Sequence, residues 1–315
     1  MDLSGAGGET ARVATPWTHL GRRAEGARQL ARRVLGVVAD TAARVYVPGD
    51  RVEDALAAVE SYAQREATCT VGYFNGDDET REQVLGNYLA AIDALAGTTT
   101  YLSIKLTALG PPDEGGSAMA RQLATRAARA GVHLHADAMW AGSADAARAA
   151  VEAMQRDAGI DVGFTLPGRW TRSLADADWA LQRGLRVRVV KGQWADPAAP
   201  DRELSQGVLD VVERLAGGAS TVAIASHDAV LVACALQRLI AKKTPCELEI
   251  LHGMGARRAI AVARSLGVPV RAYVPFGRGR LPYAAGLAVR DPALALRLGS
   301  DYASAILSRA LFPGR

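Results

Sequence analysis

The sequence predicts an α/β fold, a (βα)8 barrel of the TIM type with helices ahead of its first strand. Two observations predict it. Short apolar runs alternate with amphipathic, Ala- and Leu-rich segments eight times from residue 69 onward, the pattern of a parallel sheet with crossover helices. No Gly-x-Gly-x-x-Gly follows the first run, which weakens the alternative of a Rossmann-type open sheet.

Helical periodicity covers 19–39 and 51–66. Strands then read near 69–74, 100–106, 132–138, 160–166, 185–190, 220–226, 246–251 and 268–274. Helical segments follow most of them, at 79–96, 119–130, 143–157 and 256–265. Residues 1–15 are expected to be disordered and 16–315 to form one barrel domain, because no long Pro/Gly/Ser-rich linker divides the chain. The run Gly110-Pro-Pro-Asp-Glu-Gly-Gly116 reads as a single loop, expected over the barrel mouth.

The chain has 315 residues, 49% hydrophobic and 22% charged, enough to bury a substantial core. Its net charge of +4 is spread through helices that also carry Asp and Glu, so nucleic-acid binding is not favoured. Cys69, Cys234 and Cys246 are far apart and odd in number. They offer neither a disulfide framework nor zinc spacing, which fits a reducing cytoplasm, free or at a membrane surface. No signal pattern opens the chain, and no run of about 18 apolar residues could span a bilayer.

Catalytic groups of such barrels sit at the C-terminal strand ends, and here those ends are polar. The second strand ends Ser103-Ile-Lys105-Leu-Thr107, and the third His133-Leu-His135-Ala-Asp137. The fifth runs Arg186-Val-Arg188-Val-Val-Lys191-Gly192. The sixth ends Ser226-His227-Asp228, the seventh runs Glu247-Leu-Glu249-Ile-Leu-His252-Gly253, and the eighth carries Tyr273. Charge inside an apolar strand is costly unless it is paired or bound to a ligand. One case would read as a structural ion pair; five strands together indicate a site. His133, His135 and Asp137 share one strand face and could instead hold a metal, as His-x-His does in zinc hydrolases. Alternatively, the histidines fill lower barrel layers and Asp137 alone reaches the mouth. Lys191 could in principle form a Schiff base.

Several of these segments, in order, resemble the proline dehydrogenase family. Tyr101-Leu-Ser-Ile-Lys105-Leu-Thr-Ala-Leu109 resembles its Ser-x-Lys-Leu-(Ser/Thr)-x-Leu motif. Val187-Arg188-Val-Val-Lys191-Gly192 resembles Arg-Leu-Val-Lys-Gly, and Ile224-Ala-Ser226-His227-Asp228 resembles Ala-Thr-His-(Asp/Asn). Glu247-Leu-Glu-Ile-Leu-His-Gly-Met-Gly255 resembles Glu-Phe-Gln-x-Leu-His-Gly-Met-Gly, and Arg271 to Tyr283 resembles the last strand and the start of the helix after it.

The resemblance implies a distorted (βα)8 barrel with FAD over the strand ends. It implies hydride transfer from a carbon beside an amine nitrogen to flavin N5, giving an imine, with a quinone or oxygen as final electron acceptor. Arg188 would lie near N5. Thr165, Lys191, Gly192, Trp194 and Glu249 would contact the flavin, and Ser226, His227 and Asp228 its diphosphate and ribose. Lys105, Asp137, Tyr273 and Tyr283 would surround a small amine substrate.

The departures bear on that substrate. The family's carboxylate-gripping arginine pair falls on Gly286 and Leu287, and the acidic residue after it on Arg290. The strand-four glutamine falls near Thr165 and the strand-seven glutamine on Glu249. Losing both arginines removes several charge-assisted hydrogen bonds. The expected substrate is therefore an amine whose carboxylate is absent or masked, as an ester, amide or carrier-protein thioester, in specialised biosynthesis. Replacement of the pair by Arg278, Arg280 or Arg290, a return to free L-proline, and a non-catalytic scaffold barrel are the competing expectations.

Overall fold

A computed structural model describes residues 46–279. The helix expected at 19–39, the segment 1–15, and Arg280, Tyr283, Gly286, Leu287 and Arg290 lie outside the described residues. Within them, helix α1 (Val52–Ala63) precedes eight strand units: β1 (Thr68–Tyr73), α2 (Arg81–Leu95), β2 (Tyr101–Ile104), α3 (Gly116–Ala130), β3 (Leu134–Ala136), α4 (Ala144–Ala158), β4 (Val162–Pro167), α5 (Ser173–Gln182), β5 (Arg186–Val190), α6 (Leu204–Leu215), β6 (Thr221–Ala225), α7 (Ala229–Ala241), β7 (Cys246–Leu251), α8 (Arg257–Ser265) and β8 (Val270–Phe276).

The strands are all parallel and close into one barrel in sequence order, β8 pairing back onto β1 over six residues from Thr68↔Arg271 to Tyr73↔Phe276. The (βα)8 expectation from the strand–helix alternation holds. The largest boundary difference is β3, which keeps three residues of the seven expected. Its backbone still follows β2, Asp137 N–H donating to the Ile104 carbonyl at 2.9 Å. Three helix starts are set by side-chain caps that accept from first-turn N–H groups. Thr80 and Gln83 form a reciprocal capping box on α2, Glu203 caps α6 and Asp228 caps α7. Gly131 and Gly159 end α3 and α4 in the left-handed conformation, where L side chains are strained.

Strand alternation divides the molecule into two interiors. Leu102, Ile104, Leu134, Val162, Phe164, Leu166, Val187, Val189, Ile224, Leu248 and Val274 face the helices and are buried in the main apolar core. The alternate positions face the barrel axis, and most are polar, with Gly72, Gly163, Ala223 and Ala225 among them. That interior is normally filled by branched apolar side chains; here it holds Arg186, Arg188, Glu247, Glu249, Arg271, Ser103, His135 and Thr165, all buried. Among the described residues, no helix is long and apolar enough to cross a membrane.

Candidate active site

The axial polar residues form two layers. In the lower one, Glu247 is shared by Arg186 and by Arg271, whose Nε donates at 2.7 Å. Arg271 also donates to the Cys69 carbonyl at 2.7 Å, tying β8 to β1. Both guanidiniums lie over the Tyr101 ring, at 5.0 and 3.7 Å from its centroid, and His133 packs against the same ring at 4.2 Å. Burial, then the charges of Arg186 and Arg271, push His133 down to about 3, so it stays neutral.

The upper layer is centred on Arg188. Its Nη1 donates to Asp137 Oδ1 at 2.8 Å and to Ser103 Oγ at 3.1 Å, and its Nη2 lies 2.7 Å from Glu249 Oε1. Ser103 donates to Asp137 Oδ1 at 2.7 Å, and Tyr273 donates to Asp137 Oδ2 at 3.0 Å. One carboxylate thus collects residues from β2, β5 and β8. The Tyr273 ring sits 5.1 Å from the guanidinium carbon of Arg188. Its hydroxyl rests over Gly72, where any Cβ would collide with it. Burial opposes charge on Arg188, but Glu249 and Asp137 outweigh it and hold the guanidinium protonated. Burial pushes the Glu249 carboxyl above its ordinary range. Beneath them the His135 ring meets Thr165 Oγ1 at 3.1 Å; burial, then Arg188, keep this imidazole neutral.

Lys105 closes the other side. Its Nζ donates to the Tyr73 carbonyl at 2.7 Å and lies 3.7 Å over the Phe74 ring, while its backbone N–H donates to the buried Tyr88 hydroxyl of α2. Burial lowers Lys105 to about 8, with Asp137 opposing the shift. Its folded pKa is below the unfolded value of about 10.4, so its contribution to stability is present above the unfolded pKa and lost as pH falls toward 8. Urea denaturation from pH 7.5 to 10.5 should therefore show stability rising relative to Lys105→Met, the difference between the two proteins closing toward the alkaline end.

A cavity of about 650 Å³ lies over this layer at the C-terminal strand ends. Lys105, Asp137, Thr165, Arg188, Glu249 and Tyr273 reach it, as do Gly192, Trp194, Ser226 and His227. Lys191 and Asp228 pair with each other at 3.3 Å and are not among its lining residues. Asp228 is exposed and accepts from Val230 and Leu231 N–H at the start of α7. His227 Nε2 accepts from Leu251 N–H at 2.9 Å, which fixes its ring against β7. Trp194 is 44% exposed, and its carbonyl accepts from the buried Trp170 indole at 2.8 Å. Arg278 pairs with Asp78 at 3.0 Å. The loop from Gly110 to Gly116 flanks α3 and borders a separate groove beside Trp140, and none of its residues lines this cavity. Among the described residues, no group of three or more His, Cys, Asp or Glu is placed to hold a metal ion.

Sequence reading did not assign roles to Ser103, Phe74, Tyr88, Tyr101 or Arg271. Ser103 and Arg271 could have been found as polar residues at alternate strand positions. Nothing local marks Phe74 or Tyr88 as partners of Lys105.

No protein-family model matches the chain, and comparison with curated proteins finds no match. Solved structures do match. The barrel superposes on proline utilization A of Bdellovibrio bacteriovorus, inactivated by N-propargylglycine, with a TM-score of 0.69 and 17% identity over 82% of this chain.

The barrel resembles part of proline utilization A.

The Corynebacterium freiburgense protein of that name gives 0.65 at 16% identity over 89% of the chain, and a Bradyrhizobium japonicum variant gives 0.62 at 20% over 89%. The chain spans about a third of the length of each, 33–34%. At such identities the likeness concerns the fold.

Proposed function

We propose that the chain binds FAD over the Arg188 layer and oxidises an amine C–N bond to an imine, on a small amine whose carboxylate is absent or masked. The observation that carries this reading is the Arg188–Asp137–Glu249 cluster at the base of a cavity at the strand ends. The barrel's likeness to proline utilization A and the ordered motifs of the sequence support it. The residues fit a flavin. The cavity falls in the range of about 300–1,000 Å³ common for ligand sites. Gly192 has φ 99°, and a Cβ there would come within 2.9 Å of Pro167 Cβ, so only a glycine brings backbone to this wall without strain. Arg188 Nε and His227 Nδ1 are buried without a hydrogen-bond partner among the described residues.

When bound, the flavin supplies the two-electron acceptor; the protein positions and excludes water. Arg188 presents a fixed positive charge where negative charge develops, oriented before the reaction by its two carboxylates. Asp137 offers an acceptor for a substrate N–H, and Tyr273 holds that carboxylate in place. Lys105 and Phe74 bound the opposite side, and Trp194 supplies an apolar wall. The substrate class rests on Gly286 and Leu287, which fall where the proline dehydrogenase family that the sequence resembles carries its arginine pair; a carboxylate without those donors loses its anchor.

The test is the absorption spectrum of purified protein incubated with FAD, then mixed anaerobically with proline amide or ester and with L-proline. A flavin spectrum bleached by the masked amines and not by proline is expected. Bleaching by proline would return the substrate to the free amino acid. Protein that binds no flavin would sink the reading.

A further inference from the structure

Arg188 lies between two carboxylates that are not equivalent. Asp137 accepts three hydrogen bonds, from Arg188, Ser103 and Tyr273, and its side chain is 16% exposed. Glu249 meets Arg188 at 2.7 Å and is 4% exposed. The other charged and titratable groups around Glu249 come from every side of the barrel. Glu247 lies below it on the same strand, Arg271 and Tyr273 on β8, Cys69 on β1, and Lys105 at the end of β2. His227 stands on the loop after β6, whose neighbouring strand positions are alanines.

We propose that Glu249 binds one proton from solvent when a ligand over Arg188 gains an electron pair, so that the site stores a proton for each two-electron reduction. This rests on the flavin reading above. In that reaction the substrate C–H bond would break, its electron pair and proton leaving together as hydride, while the amine would become an iminium. A bound flavin taking up that hydride would place one added negative charge over Arg188. A second proton then forms an O–H bond on Glu249 and breaks none within the protein. Reoxidation by the acceptor returns that proton to solvent.

The site's geometry makes Glu249 the group that responds. Added negative charge over Arg188 draws on the guanidinium that both carboxylates share, and it raises the affinity of each for a proton. Asp137 keeps two neutral donors that favour its charged form. Glu249 is the more deeply buried, and burial already shifts its carboxyl upward. Glu249 is thus a positioning residue for Arg188 in the oxidised state and a proton carrier in the reduced one.

The experiment is a potentiometric titration of the FAD-loaded protein, read by flavin absorbance at a series of pH values, for wild type and Glu249→Gln. Each proton taken up with two electrons changes the equilibrium tenfold per pH unit, about 30 mV for a two-electron couple. Wild type should show two protons, about twice the slope of Glu249→Gln, across the interval between the two pKa values of Glu249. Infrared difference spectra of wild type should gain a protonated-carboxyl band on reduction, a readout that needs no variant to fold. Bound flavin with equal slopes in both proteins, or reduction without the carboxyl band, would overturn the proton-storage role and leave the flavin reading intact. Failure to bind FAD would overturn both.

Discussion

Replacing Arg188 with methionine should lower the unfolding free energy by about 3–5 kcal/mol, the usual cost of removing one member of a buried ion cluster. Urea denaturation at pH 7 would measure it. The loss comes from what remains: Asp137 and Glu249, one part-buried and one fully buried, without the cation they share. The pH dependence separates this cause from simple loss of packing. With Arg188 absent, burial raises the folded pKa of Glu249 further above its unfolded value. A carboxyl raised in this way gives stability below its unfolded pKa that is lost as pH rises through the folded one. The deficit of the variant should therefore shrink toward pH 4 and reach its full size near neutrality; a deficit independent of pH would contradict it. Arg188→Lys should recover only part, because a point charge cannot span the two carboxylates as the planar fork does.

The second large effect belongs to the lower layer. Glu247→Leu leaves Arg186 and Arg271 facing one another inside the barrel, and about 3–5 kcal/mol should again be lost. His133 cannot relieve the excess charge, since it is already neutral there. Glu247→Gln, which keeps an acceptor for both guanidiniums, should cost less. The control is the Arg126–Asp93 pair, equally short at 2.6 Å but half exposed at both ends. Asp93→Asn should leave the urea midpoint unmoved, because solvent screens such pairs. If both substitutions moved the midpoint equally, burial would not be what makes the axial pair matter.

The eight strands were legible because each core-facing row alternates with a row of different chemistry, and because Gly, Pro and capping residues punctuate the helices between them. Asp137, Arg188, Glu249 and Tyr273 were legible for the same reason: each is polar, on an axial face and near a strand end. Periodicity, however, gives the face of a strand and not the depth along it. Arg186 and Arg188 looked alike in sequence, yet one lies in the lower layer and the other beneath the cavity. Side chains that serve backbone were also hidden. His227 and Asp228 read as ligand contacts, and the sequence did not announce the bonds they also make within the protein, to Leu251 N–H, to Lys191 and to the first turn of α7. The burial of Lys105 depends on Tyr73, Phe74 and Tyr88, which reach it from β1 and α2, and no pattern around residue 105 announces them.

The pairing of β1 with β8 has a consequence for how the chain reaches this state. Arg271 meets the Cys69 carbonyl across 202 positions of sequence, so the seam is the most distant contact of the barrel wall and carries a large loop-closure cost until the intervening units are in place. During synthesis β1 emerges long before its partner. Until β8 arrives, the growing sheet has two open edges, one of them β7 with Glu247 and Glu249. Charged residues directed inward from an edge strand discourage pairing with another chain. Arg186 and Arg188 of β5 already face these carboxylates, and Arg271, the second arginine on Glu247, arrives on the strand that seals the wall, so completing the lower ion cluster and ending the edge's exposure are one event.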